Sequence, residues 1–535
     1  MKTPFVVGCF LLASLCSAQE PVSDDLHVIS TRIWHPGIDP TPEWKEAPVE
    51  PEGFMVNVAF EARVFSGEGI LFLKQRDVQN SWLLTLNGKP TTALKKCGDG
   101  MGEFRYVIPE GIIVDGENTL TLVGQIPTDD ILFGDIRYSE ESTRECFDLR
   151  QFALHVSHEV AGVQESIPAR ITIVDSKGEL AEMFYASFEH VALRPGNLYT
   201  GTGHATAELP VGDYVVYASR GMEWSRAKVD LHLTAERPQT SVQTVELKLV
   251  HEVDTPGFVA ADTHIHTLTH SGHGDASMDE RQITLAGEGV ELAIATDHNH
   301  NIDHRPTQKR MGLSAYYTPV VGNEVSTPIG HFNAFPLNSK DPVPLHESSD
   351  LKALLASMRS KGARTTILNH PRWPEGDKAP FNTIGLHSRT GFWKGPWASG
   401  CDVMELINSD IKEKDPLQLY RVWFSSMNKG DKVVSVGSSD SHKVGVVVGQ
   451  GRTYVQSKIS DVSRLDINEC SDNIARGHSS VSMGMFADLT HEGKPVMGQL
   501  LGVDEGYRLP LNLELRFADP SWVDSERFIV FVNGQ

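Results

Sequence analysis

The stretch DTHIHTLTHSGHGD, residues 262–275, sets four histidines and two aspartates within one turn-rich segment. In an extended strand, residues i and i+2 project to the same side, so His264 and His266 face a common centre, as do Asp440 and His442 in SSDSH. Neutral imidazole together with carboxylate suits zinc, manganese or iron rather than calcium, which takes oxygen ligands. One HxH alone is a weak signal, so the test is whether other such residues fall at equivalent places.

They do. FVAA leads into Asp262, ELAIA into Thr296-Asp297-His298, and TPVVG into Asn323-Glu324. TTIL leads into Asn369-His370 and VVSVG into Ser438, while FNAF follows His331. Each run is short and apolar, as a strand buried on both faces is. Helical signals lie between them: a capping box at Ser277–Glu280 opening a helix to about Ala286, a periodic segment from Ser349 to Ser360 ending before Gly362, and a third helix over Pro416–Asn428. Alternating strands and helices predict parallel strands with helical crossovers, a barrel or a doubly wound sheet, over about 258–455. The C-terminal ends of such strands meet at one face, where active sites are built.

The series DTHIHT, AIATDHN, GNEV, GHFNAF, NHP and GSSDSH resembles the polymerase and histidinol phosphatase (PHP) superfamily of metal-dependent hydrolases, and within it the secreted carbaryl-hydrolase-like branch. The likeness spans about 200 residues. It implies a distorted TIM-like barrel holding two or three divalent ions, of manganese, iron or zinc. The implied ligands are His264, His266, His298, Glu324, His331, His370, Asp440 and His442, with Glu324 the bridging carboxylate. Glu324, Asp440 and His298 form the expected catalytic set. Where the family often has Asp or His shortly after HxH, this chain offers Asp275 or His273, with His270 a poorer third choice.

Other residues carry blander readings. Asp297 either orients a ligand histidine or stabilises the strand end. His300, His304 and Arg372 read as exposed loop residues, His346 and His387 as structural or surface positions. Trp373, Trp393 and Trp397 sit on a long loop, with core packing preferred over walling a pocket.

Before this region the text is β-rich. Residues 25–150 form one expected sandwich, whose phrases WLLTLNGKP and YVIPEGIIVDGENTLTLVG resemble jelly-roll accessory domains of secreted glycosidases. Glycan contact and a packing role that binds nothing are both open for it. Residues 151–250, through ITIVDSKG and LPVGDYVVYASRG, resemble transthyretin-like sandwiches and read as a spacer or positioning domain. Residues 457–535 return to β-rich text and read as a sandwich cut short.

At 535 residues the chain is long enough for three or four domains. Residues 1–18, with an apolar run from Phe5 to Leu15 before Cys16-Ser17-Ala18, read as a signal peptide, hence a secreted or periplasmic protein. Elsewhere no run nears the roughly 20 apolar residues that span a bilayer. A net charge of −22 disfavours nucleic-acid phosphates as partners. Cys97, Cys146, Cys401 and Cys470 lack CxxC spacing, although Cys97 could pair with Cys146. No Walker A motif is present, and the catalytic region has no GxSxG elbow. The leading expectation is hydrolysis of a phosphoester or other ester-like bond of a small molecule by metal-bound hydroxide. The competing one is an extracellular carbohydrate-binding or adhesion protein with a vestigial metal site.

Overall fold

The computed structural model describes Pro21 and residues 26–532, except 39–49, 79–80, 96, 98–99, 125–129, 187–188, 237, 239, 374–378, 384–385, 388–391, 394–400, 412–416, 431, 500 and 502–511. The expected signal segment and Trp397 fall outside the described residues.

Alternating text such as MVNVAFEA buries every second residue at its start, and it builds two four-stranded sheets between His27 and Ser139. Their inner faces share a core of Leu71, Leu73, Trp82, Leu84, Leu120, Leu122 and Phe133. A second pair of sheets, five strands each, follows. In one of them β1 (Leu149–Val160) is flanked by β2 (Val163–Ser166) and β3 (His204–Pro210) on one side and by β4 (Gln243–Leu249) on the other. Phe152, Leu154, Val156, Ile171, Ile173, Val216 and Leu231 fill the core between these two sheets. Cys97 and Cys146 are not bonded to each other.

The third region carries the strands expected before the candidate ligands: β5 (Phe258–Ile265), β6 (Leu292–Ala295), β7 (Thr318–Val321), β8 (Asn323–Thr327), β9 (Gly330–Phe335), β10 (Thr365–Leu368), β11 (Val403–Asn408), β12 (Val434–Ser438), β13 (Arg452–Gln456) and β14 (Ser479–Ser482). Every residue of β5, β6, β7 and β10 is buried, which is why their apolar residues stand consecutively rather than alternating with polar ones. Helices α1 (Met278–Gly287), α2 (Leu351–Ser360) and α3 (Leu417–Asn428) lie where the capping and periodic signals place them. Ser277 and Glu280 close the capping box of α1.

The pairing differs from one parallel cylinder. Among the described residues it makes two mixed five-stranded sheets, β7-β6-β5-β13-β14 and β8-β9-β10-β11-β12. Isolated parallel bridges His298↔Glu324 and Ile265↔Ser441 join them. The short Thr327–Gly330 connection forces β8 and β9 to run antiparallel, and β13 and β14 also pair antiparallel, so strict strand–helix alternation is lost. A further difference is helix α4 (Ile467–Arg476) in a region read as β-rich. Asp466 caps it, accepting from the amides of Asn468 and Glu469, and Cys470 and Ile474 enter the core. After it, Phe486–His491, Lys494–Pro495 and Glu514–Ala518 form a three-stranded sheet.

The second sandwich grips the back of α1. Tyr199 donates its hydroxyl to Glu288 at 2.6 Å, and Arg220 donates to the Pro168 and Ala286 carbonyls. Gly287 leaves room for the Tyr199 ring, since a Cβ there would lie 2.8 Å from it. Arg194 pairs with Glu280 at 2.8 Å, tying the same sandwich to the first turn of α1.

Candidate metal centre

His264 stands in β5, and His266 follows it before Thr267 caps a one-turn helix over Leu268–Ser271. His298 follows β6, Glu324 and His331 lie in the β8–β9 hairpin, and His370 follows β10. Asp440 and His442 follow β12. His370 and Asp440 adopt positive φ, 23° and 54°, at a cost of about 1 kcal/mol each. Six strands, β5, β6, β8, β9, β10 and β12, thereby deliver the eight side chains to one place.

Glu324, fully buried, is its centre. Its Oε1 lies 3.2 Å from His264 Nε2, 3.1 Å from His331 Nδ1 and 3.2 Å from His370 Nε2. Its Oε2 lies 2.8 Å from His298 Nδ1 and 3.4 Å from His266 Nε2. Asp440 Oδ1 is 3.2 Å from the Nε2 atoms of both His264 and His266. His442 stacks on His266 with ring centroids 4.0 Å apart.

The donors fall into four overlapping triples whose ligand atoms lie within 4.8 Å of one another: His264–Glu324–His370, His264–His266–Asp440, His298–Glu324–His331 and His266–His298–His442. Nε2 of His264, His266 and His442 and Oε2 of Glu324 are buried and make no well-directed hydrogen bond, although for all but His442 an opposite charge lies 2.8–3.4 Å away. Buried polar atoms are rarely left so, and a divalent ion would satisfy these lone pairs. The residues present therefore fit metal binding by imidazole and carboxylate together.

The charges agree. Burial lowers the affinity of His264 for a proton, yet Asp440, Glu324 and Glu405 outweigh it and hold this imidazole well above its ordinary range. Glu324 makes His370 hold its proton up to about 9 in the same way. Burial and the charge of His442 drive His266 well below the usual value, and burial with His273 drives His442 down to about 3. Burial lifts Asp440 to about 6. Without a cation, protons on His264 and His370 balance the buried carboxylates.

Glu405 went unremarked as a functional residue in the sequence. Its Oε1 lies 2.9 Å from His264 Nδ1, and its Oε2 accepts from the His370 amide at 2.6 Å and from Asn408 at 3.1 Å. Ser438 also donates to it. Its signal was a glutamate inside the apolar run VMEL, because a fully buried carboxylate must be paired. Asn369, which donates to Glu324 at 2.8 Å, gave none beyond preceding His370. Asp297 Oδ1 accepts from the Thr267 amide at 2.7 Å and from Ser271 Oγ at 2.8 Å. Ser271 Oγ in turn lies 3.0 Å from His266 Nδ1, so Asp297 acts on both the strand end and the ligand ring.

Asp275 is not brought into any of the four triples. Its Oδ1 accepts from the Val444 amide at 2.8 Å and faces Arg194 at 3.2 Å. His273 instead stacks against His298 at 5.0 Å and meets His442 at 4.5 Å with its ring tilted by 31°. His304, expected on an exposed loop, is 1% exposed because it packs under α1 against Gln282. Trp373, expected in the core, is 45% exposed and meets the His370 ring edge-on at 5.3 Å.

A cavity of about 730 Å³ opens onto the cluster. His298, Glu324, His331, His370, Asp440 and His442 form its floor, and His273, Trp373, Asp410, Ile411 and Lys443 its rim. Its size falls within the range of small-molecule sites.

No family model matches the chain, and no curated protein matches it by sequence. Among solved structures, a two-domain Bacteroides vulgatus protein containing a predicted PHP-like metal-dependent phosphoesterase is 20% identical, covering 44% of this chain and 67% of that one, with a TM-score of 0.31. The minor pilin GBS52 of Streptococcus agalactiae is 11% identical over 42% of this chain and 99% of that one, with a TM-score of 0.16. A Ruminococcus gnavus β-glucuronidase is 10% identical over 78% and 84%, with a TM-score of 0.20. At these TM-scores the likenesses decide neither architecture nor activity.

Proposed function

We propose that this chain is a metal-dependent hydrolase of the PHP type, cleaving a phosphoester or another ester-like bond of a small molecule. The observation that supports it is the fully buried Glu324 among five imidazoles, with Nε2 atoms on His264 and His266 that make no well-directed hydrogen bond and Asp440 beside them. The barrel of that family is the architecture to which we assign the two mixed sheets.

His264, His266, His298, Glu324, His331, His370, Asp440 and His442 would hold two or three ions. Bound ions of this class polarise the attacked oxygen and bring the pKa of water from 15.7 to about 7. Glu324 belongs to two of the donor triples and bridges them. Asp440 reaches the cavity floor, where its carboxylate would accept a proton from a reacting group. His298, on the same floor, links the Glu324 triple to the His266–His442 triple. Glu405 and the Asp297–Ser271 pair keep the His264 and His266 rings in orientation. Lys443 and Asp410 give the rim both signs of charge, and Trp373 offers an aromatic wall. Export rests on residues 1–18 and is checked by N-terminal sequencing of the mature protein.

The test is elemental analysis of the purified protein together with chromogenic phosphomonoester, phosphodiester and carboxylic-ester substrates, before and after chelation. Two or three ions per chain with chelator-sensitive turnover are expected, and the substrate cleaved identifies the bond. Absence of stoichiometric metal after reconstitution with manganese, iron and zinc would overturn the proposal. Bound metal without turnover would favour a binding or adhesion protein with a vestigial site.

A further inference from the structure

A second set of imidazoles converges far from the strand-end cluster, on the outer face of the second sandwich. His155 in β1 is in register with His204 of β3 on one side and Glu246 of β4 on the other. All three side chains therefore leave the sheet on one face, opposite the core residues Leu154, Val156, Ala205, Val245 and Leu247. The two imidazole rings stack with centroids 4.4 Å apart and planes 7° from parallel.

Both rings aim the same atom at one point. His155 Nε2 lies 3.0 Å and His204 Nε2 2.9 Å from Ser166 Oγ. Glu246 Oε2 lies 2.7 Å from His155 Nδ1. Gly203 makes the convergence possible. At φ 82° it lets β3 begin directly beside the end of β2, and a Cβ there would meet the Val156 carbonyl at 2.7 Å and the Ile167 amide at 2.8 Å.

Proton accounting shows what this arrangement prepares. Glu246 takes the Nδ1–H of His155, which leaves a lone pair on His155 Nε2 for the single hydroxyl proton of Ser166. His204 then donates its Nε2–H to Ser166 Oγ. A carboxylate that holds one imidazole nitrogen so that the other presents its lone pair is the arrangement behind metal-binding histidines. A neutral imidazole carries its proton on either nitrogen, so His204 frees Nε2 by moving its proton to Nδ1 when an ion binds.

We propose that His155 and His204 form a second metal site, a surface site for a divalent transition ion of the zinc, copper or nickel kind. Their Nε2 atoms are the ligands, Glu246 is the orienting carboxylate, and the ion lies near the present position of the Ser166 hydroxyl. Two imidazoles select these ions over calcium and magnesium, which prefer oxygen. Ser166, His155 and Glu246 also follow the order of a nucleophile, its base and the orienting acid. Against that use, His204 and Glu246 are exposed on an open sheet face, and His204 donates to the very oxygen that would attack.

The experiment is equilibrium dialysis of the full-length protein against Zn(II) and Cu(II), comparing wild type with a H155A/H204A variant. The difference between them is expected to be one ion per chain, whatever number the strand-end cluster holds, and Cu(II) electron paramagnetic resonance of that ion should show nitrogen ligation. E246Q should weaken the ion's binding by roughly ten-fold, whereas S166A should retain it. His204→Ala alone, at an exposed position, gives the same readout if the double variant folds poorly. Equal stoichiometry and affinity in wild type and the histidine variants would overturn the proposal. So would covalent labelling of Ser166 by a fluorophosphonate in a protein that binds no ion at this face.

Discussion

The strand-end cluster and the sheet-face pair both gather imidazoles, and burial separates what they can do. At the strand ends, His264, His266 and Glu324 are all 0% exposed, so each charge must be answered by another charge or by an ion. On the sheet face, Glu246 and His204 are exposed, and solvent weakens every interaction the pair makes. Both clusters use a carboxylate to orient an imidazole, Glu405 for His264 at 2.9 Å and Glu246 for His155 at 2.7 Å. What differs is the cost of leaving either one empty. The inner cluster has buried nitrogens that make no well-directed hydrogen bond, whereas the outer pair closes its hydrogen bonds through Ser166.

The sharpest way to break that contrast is to remove the charge at the centre of the inner cluster. Glu324→Gln takes from His264 and His370 one of the carboxylates that hold their protons, leaving Asp440 and Glu405, and losing one partner of a buried pair costs roughly 3 kcal/mol. Urea unfolding of the chelated protein should show that loss, and the metal-loaded variant should show no measurable turnover on the substrate that wild type cleaves. H155A/H204A should leave turnover unchanged. If Glu324→Gln is as stable as wild type and still active, the inner cluster is not organised around this carboxylate.

Next in size is Glu405→Gln, which keeps the shape but removes the charge facing His264 Nδ1 and one of the two acceptor oxygens, so that either the bond from Ser438 or those from Asn408 and the His370 amide are lost. Metal affinity at the inner site is expected to fall by roughly 10- to 100-fold, the range for groups that orient a ligand histidine. Competition with a chromogenic chelator measures it. A drop no larger than the one E246Q causes at the sheet face would mean that burial adds nothing to the orienting carboxylate.

How much of this was legible in the sequence follows from what each residue needs. Strand-end ligands were readable because apolar runs buried on both faces must stop where polar side chains begin, and FVAA, ELAIA, TTIL and VVSVG all stop at candidate donors. Helix α1 was readable from Ser277 and Glu280 alone. The pairing of the strands was not, because the β8–β9 hairpin is local in sequence while its neighbours are set by long-range packing. Helix α4 was missed because INECSDNIAR has only four apolar residues, Ile467, Cys470, Ile474 and Ala475, and is held by Asp466 and core contacts. His155 and His204 were invisible, since no short spacing connects residues on different strands.

His304 tests burial by itself. It is about as buried as His264 yet moves in the opposite direction, down to about 4 from an ordinary 6.5, because desolvation outweighs the attraction of Asp297. Between pH 4 and 6.5 the unfolded chain therefore binds more protons at this residue than the folded one. Its contribution to stability is complete above the upper value and is lost as pH falls toward the lower, at about 1.4 kcal/mol per pH unit. Urea unfolding between those limits should show that slope, and H304Q should lack it. An unchanged slope in H304Q would assign the acid sensitivity to the inner cluster instead.

The smallest expected effect lies at the border of the inner cluster. Asp275 is close to His442 in the chain fold, since its amide donates to the His442 carbonyl at 3.1 Å, yet its carboxylate turns to Arg194 and the Val444 amide. Asp275→Ala should therefore leave the number of bound ions unchanged while costing about 1 kcal/mol, the worth of one partly exposed pair and one hydrogen bond. Both quantities come from one preparation, by elemental analysis and urea unfolding. Loss of an ion in this variant would draw Asp275 into the cluster and enlarge the buried set beyond the four triples. Retention of all ions places the boundary between His273, whose ring lies against two of the proposed ligands, and Asp275, whose charge anchors the second sandwich instead.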